Sequence, residues 1–147
     1  MPPPEAMLPR SCHIVAAPGR GTMAVKTPSE LSKGFEKNYN ARDLKGLMSL
    51  YTDGAILTMD GKTKIAGKPE IEKVMATMVA TPGNRCVCTC VDCHEAGDTA
   101  LVRTDWQMFD AKGAVINSGL SAEVAKRGPD GLWRFIIDDA TYVSRSR

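Results

Sequence analysis

The sequence predicts an α+β domain, with three N-terminal helices packed on one face of a strongly curved, mainly antiparallel sheet. Three observations carry this expectation. Apolar residues recur at helical spacing between residues 27 and 80, then at alternating spacing between residues 86 and 143. Gly- and Asp-containing turns separate the alternating stretches, and such tight connections imply antiparallel pairing. A run of helices followed by a run of strands is the α+β order, not the alternation of a parallel sheet.

Thr27-Pro28-Ser29-Glu30 starts the first helix, with Thr27 as cap, Pro28 in the first turn and Glu30 completing a capping box. Leu31, Phe35 and Tyr39 share one face of it. Asn40-Ala41-Arg42-Asp43 breaks the helix, and Asp43 caps a second with Leu44, Leu47, Met48 and Tyr51 inward. Asp53-Gly54 stops that helix, residues 55–59 form a short strand, and Asp60-Gly61 turns into an extended piece over 62–67. Pro69 opens a third helix whose Ile71, Val74, Met75, Met78 and Val79 line one face, ended by Thr81-Pro82-Gly83. Strands follow over 86–96, 99–109, 114–126 and 132–143.

At 147 residues the chain suits one domain with a tail. The net charge of +2 resides in residues 1–26, and residues 27–147 balance to zero. A balanced domain without a basic stripe argues against nucleic acid and membrane as partners. No run approaches the roughly 18 apolar residues of a membrane span. Pro2, Pro3, Pro4, Pro9 and Pro18 make the N-terminus a poor folding unit, so residues 1–26 read as a disordered tail and 27–147 as the domain. No secretory signal is recognisable, and a weak mitochondrial transit segment is the other reading of the tail.

Four of the five cysteines fall in Cys86-Val87-Cys88-Thr89-Cys90-Val91-Asp92-Cys93. Cys86, Cys88 and Cys90 alternate as one strand face would, with side chains roughly 6.8 Å apart, too far for three to share a tetrahedral zinc. Small buried thiols are the expected reading, with no metal and no cofactor. The odd cysteine count points to a reducing, cytoplasmic location.

Phe35 to Tyr39, Asn40-Ala41-Arg42-Asp43-Leu44, Leu50-Tyr51-Thr52-Asp53-Gly54-Ala55, Ala66-Gly67-Lys68-Pro69-Glu70-Ile71 and Gly131-Leu132-Trp133-Arg134-Phe135 follow one another in an order that resembles the nuclear transport factor 2-like superfamily, in its SnoaL-like and ketosteroid-isomerase-like branch. The resemblance covers residues 27–143. It implies a cone-shaped fold, a pocket between helices and sheet, and a homodimer. In the ketosteroid isomerases of this branch the general base falls at the position of Met59, and Asp60, one residue on, points to the opposite face. The oxyanion-donating Tyr falls at Phe35, and the partner acid at Glu123. Steroid isomerase activity proper is therefore not expected, since Met59 cannot abstract a proton.

On 99–109 the more apolar face holds Ala100, Val102, Thr104, Trp106 and Met108, and the resemblance turns this face to the pocket. Trp106 either shapes a flat ligand or fills core. Glu123 shares a face with Gly119, Ser121 and Ala125, where desolvation would raise its pKa; the alternative is a solvated Glu beside Lys126 and Arg127. Only one of Asp138 and Asp139 can face the pocket, and the family register favours Asp138; the alternative leaves both in solvent. Tyr39 and Tyr51 read as helix-face residues, and His94 as solvent-facing.

Glu123 and Asp138 are thus the candidate catalytic residues, and Phe35, Tyr39, Met59, Val102, Thr104 and Trp106 the candidate pocket lining. Two functions fit: a binding module for a small, flat, apolar molecule, or a cofactor-free acid–base enzyme of isomerase, cyclase or dehydratase type using Glu123 and Asp138. A cavity of about 300 Å³ or more with converging polar groups favours ligand chemistry. A homodimer is expected through the outer sheet face, from Leu101 and Phe109 together with Trp133, Phe135 and Ile137.

Overall fold

The structure is a computed structural model and describes residues 25–142. A 3-10 turn (Pro28–Glu30) leads into α1 (Leu31–Asn40) and α2 (Leu44–Met48), then β1 (Tyr51–Thr58), β2 (Ile65–Ala66), α3 (Lys68–Val79), β3 (Arg85–Ala96), β4 (Thr99–Phe109), β5 (Val115–Arg127) and β6 (Trp133–Asp139). The strand order is β2-β1-β6-β5-β4-β3. All neighbours are antiparallel except β1 and β6, so the sheet is mixed and not closed. The α+β layout expected from the periodicities is the one observed.

Local chemistry explains most boundaries. Asp43 caps α2 by accepting from the Gly46 N–H at 2.9 Å. The Thr27 capping box does not form: Thr27 makes no side-chain cap bond, and Glu30 accepts from the Lys26 N–H instead. Tyr51 is not on α2, which ends at Met48; it opens β1 opposite Phe135. Its helical spacing from Leu47 and Met48 was misleading, because an aromatic residue followed by Thr packs well on a pleated sheet. Asp53-Gly54 lies within β1, where the register to β6 slips, and does not end a helix.

Order begins before residue 27. Val25 is 2% exposed, and its carbonyl accepts from the Trp133 N–H at 2.9 Å. The rest of the expected tail, residues 1–24, lies outside the described residues, as do residues 143–147. No described helix is long and apolar enough to cross a membrane.

Bulges bend the sheet around its helices and also decide which side chains face inward. In β6 the pairing steps from Val124 with Ile137 to Ala125 with Phe135, leaving Ile136 unpaired. Trp133 and Phe135 therefore face the core at 2% and 3% exposure, while Ile137 turns outward at 42% and Asp138 inward at 7%. Trp133 and Phe135 thus leave the outer face assigned to them by strict alternation. That face carries an apolar row in direct register: Leu101 opposite Val124, Val124 opposite Ile137, and Ile137 opposite Ile56. A second bulge, at Val91, keeps Cys93 on the inner face beside Val102.

The edge strand β3 is held by α1. Asn40 donates to the Cys86 carbonyl at 2.9 Å and accepts from the Cys86 N–H at 2.8 Å. Glu36 accepts from the Cys88 N–H at 2.7 Å. These bonds satisfy edge groups that would otherwise be free to pair with another chain.

Candidate functional site

A cavity of about 110 Å³ lies between the helices and the inner face of the sheet. α1 contributes Ser32 and Phe35, and α3 contributes Met75 and Met78. Leu57 on β1 and Met59 just beyond it form one wall, with Met59 37% exposed at the mouth. Thr104, Trp106 and Met108 from β4 form another, and Asn117 from β5 stands beside them. Trp106 is fixed by its indole N–H, which donates to the Ala140 carbonyl at 2.7 Å.

The polar end is built from β4, β5 and β6. Glu123 and Asp138 are cross-strand partners, 5% and 7% exposed. Neighbours in such a pair have Cβ atoms about 4.5–5.5 Å apart. Ser121 Oγ is 2.5 Å from Glu123 Oε1 and 3.2 Å from the Thr104 carbonyl. Thr104 Oγ1 donates to Glu123 Oε2 at 3.3 Å and shares a 2.7 Å bond with Ser32 Oγ. Tyr51 donates its hydroxyl to Asp138 Oδ2 at 2.7 Å.

These surroundings separate the two carboxyls. Burial pushes Glu123 up, the charge of Asp138 pushes it further, and the Ser121 and Thr104 hydroxyls act against both. Burial raises Asp138 too, opposed by the Tyr51 hydroxyl. Two interacting carboxyls titrate as a pair. A bonded phenol favours ionisation at Asp138, whereas with Ser121 donating to Oε1 a neutral Glu123 has its O–H on Oε2, to offer to an acceptor. Burial and the adjacent Asp138 hold the Tyr51 phenol far above its ordinary range, so it remains a donor. Burial thus pushes Glu123 toward its neutral form, beside an Asp138 bonded to a phenol, at the end of an apolar cavity.

The expected lining divides. Phe35, Met59, Thr104 and Trp106 border the cavity together with Glu123 and Asp138. Val102 is fully buried beside Glu123 and lies outside the lining. Tyr39 lies behind Phe35, with ring centroids 6.2 Å apart, and its hydroxyl donates to the Met78 carbonyl. Asp60 is in the exposed turn, bonded to the Lys62 and Thr63 N–H groups. His94 is exposed, 3.7 Å from Asp92. Three polar groups escape the sequence reading: Tyr51, whose spacing fits a helix, Ser32, because a hydroxyl on a helix gives no periodic signal, and Asn117, which lies on an exposed stretch of β5.

Among the described residues no three His, Cys, Asp or Glu side chains converge on a metal position. Cys86 and Cys88 also border the cavity, and their Sγ atoms, 3.9 Å apart, are closer than the roughly 6.8 Å expected of side chains on one strand face, because the two side chains lean together.

A helical layer on a curved sheet with an interior cavity defines the nuclear transport factor 2-like class. The family model described as SnoaL-like domain matches residues 33–136, and the chain belongs to that family. Solved structures agree on the fold. A candidate calcium/calmodulin-dependent protein kinase type II association domain from Thiobacillus denitrificans is 19% identical over 82% of this chain and 98% of that chain, with a TM-score of 0.69. A candidate dehydratase of the NTF2-like family from Streptomyces avermitilis is 21% identical over 76% of this chain and 89% of that one, with a TM-score of 0.63. A ketosteroid isomerase-like protein from Erwinia carotovora atroseptica is 19% identical over 74% of this chain and 88% of that one, with a TM-score of 0.57. No protein of curated function matches the chain in sequence.

Proposed function

We propose that the chain binds a small, flat, apolar molecule carrying an acceptor oxygen, which Glu123 engages in its neutral form. The observation that carries this reading is a buried, uncharged-leaning acid at the end of an otherwise apolar cavity. The cavity of about 110 Å³ is below the roughly 300–1,000 Å³ of drug-sized sites, so the occupant is on the scale of a single ring. Flexible Met59, Met75, Met78 and Met108 give the walls room to adapt. The test is a thermal-shift and NMR titration with cyclohexenone, cyclohexanone and phenol. Saturable stabilisation that weakens in Glu123→Ala supports the reading, because binding to the native state raises the Tm by mass action. Absence of a saturable response to all three at millimolar concentration overturns it.

A second reading is favoured by the Tyr51–Asp138 bond, which favours ionisation at Asp138 beside a Glu123 pushed toward its neutral form. That pairing suits cofactor-free proton transfer, with Asp138 as base and Glu123 as acid. Deuterium exchange at the α-carbon of cyclohexanone, followed by NMR, separates a catalyst from a binder. The positions of Met59 and Phe35 offer no proton-transfer group, so steroid isomerisation proper is not part of either reading.

The outer apolar row supports the homodimer in this reading, since helices cover only the other face. A cytoplasmic location rests on the odd cysteine count.

A further inference from the structure

We propose that the cavity wall formed by β3 and β4 is a binding site for a soft monovalent cation, copper(I) or silver(I), held by the thiols of Cys86 and Cys88 and the thioether of Met108. Three observations lead there. The two thiols are buried, at 1% and 3% exposure, face the same cavity, and stand 3.9 Å apart. Met108 is the direct cross-strand partner of Cys86, so its thioether rises from the adjoining position on the same face. Met75 and Met78 border the cavity from α3 and add further soft donors opposite.

The geometry suits a metal without moving either strand. With metal–sulfur bonds of about 2.3 Å, a 3.9 Å separation corresponds to a sulfur–metal–sulfur angle of about 115°, between tetrahedral and trigonal. The backbones of both cysteines are pinned by Asn40 and Glu36 on α1, so the donor pair is preorganised.

Ligand softness and charge select the ion. Thiolate and thioether donors favour copper(I) over oxygen-seeking cations. One M⁺ replaces the proton of one thiol, forming an M–S bond and releasing one H⁺. The second thiol and the thioether coordinate as neutral donors, so the occupied site carries no net charge. A divalent ion would need two thiolates or leave a positive charge in an apolar cavity, which is costly. This inference does not depend on an organic molecule entering the cavity.

The test uses the full reduced chain under anaerobic conditions, titrated with silver nitrate and with copper(I) buffered by bicinchoninate, with zinc as control. The expected result is one ion per chain, one proton released per ion, a raised Tm, and weak zinc binding. The Cys86→Ser/Cys88→Ser pair should lose affinity by more than the roughly 10–100-fold that outer-shell changes produce, while Cys90→Ser/Cys93→Ser keeps it. X-ray absorption on the wild-type complex needs no variant and should show a sulfur-only shell. Failure to compete with bicinchoninate overturns the proposal, as does nitrogen or oxygen in the shell. Full binding by the Cys86→Ser/Cys88→Ser chain also overturns it and assigns the ion to Cys90, Cys93 or Cys12.

Discussion

Replacing Glu123 by Gln should change how stability depends on pH more than it changes stability at any one pH. The substitution keeps the side-chain shape. Its carbonyl can accept from Ser121 Oγ and its amide N–H₂ can donate to Thr104 Oγ1, so the bonds at 2.5 and 3.3 Å keep partners. What disappears is the ionisation. In the wild type the folded-state pKa lies above the unfolded value of about 4.3. The folded state therefore holds its proton more tightly, and the stabilisation is complete below pH 4.3 or so. It is lost as the pH rises through the raised folded value. Each unit of rise is worth about 1.4 kcal/mol. Glu123 is nearly fully buried, so this energy is not screened by solvent. Even a one-unit rise should lower the wild-type Tm by about 4 °C relative to Glu123→Gln across the window. Asp138 retains its own upward shift, so the variant's profile should flatten without becoming level. Thermal melts of both proteins from pH 4 to 9 make the comparison. Parallel curves would refute the reasoning, since they would mean that Glu123 is as hydrated in the fold as out of it.

Tyr51→Phe removes the hydroxyl that donates to Asp138 and should destabilise the fold by about 1–3 kcal/mol at pH 7, read from chemical denaturation. The same change should raise the Asp138 titration midpoint in carboxyl NMR; an unmoved midpoint would remove Tyr51 from the account. Ile137→Lys places a charge in the outer apolar row and should convert a dimeric mass in light scattering at micromolar concentration to a monomeric one. A monomeric wild type would contradict the dimer. Deleting residues 1–22 should leave the Tm unchanged, whereas a deletion extended through Val25 should lower it, because Val25 is buried and bonded to Trp133.

The layers and strand succession were readable because helical and alternating periodicities change over near residue 80. Glu123 was readable as well, since its neighbours Gly119, Ser121 and Ala125 leave space on one strand face. The rest hinges on single-residue irregularities. Strict alternation puts Trp133, Phe135 and Ile137 together, and only the unpaired Ile136 lets Phe135 and Asp138 both turn inward. A bulge depends on how two strands meet and leaves no mark in one strand's pattern. Tyr51 was hidden differently, by a spacing from Leu47 and Met48 that fits a helix face although the backbone is already extended. The parallel β1–β6 pair was also out of reach, because its partners are separated by the whole intervening chain.

The central claim is that a neutral Glu123 receives the ligand's acceptor oxygen. The most direct measurement is a ¹³C NMR titration of the Glu123 side-chain carboxyl, with and without saturating cyclohexenone. The account predicts a midpoint well above the roughly 4.3 of a free Glu side chain, moving higher when the ligand is bound, because the ligand takes only the protonated form. A midpoint near about 4.3 that the ligand leaves in place would contradict it.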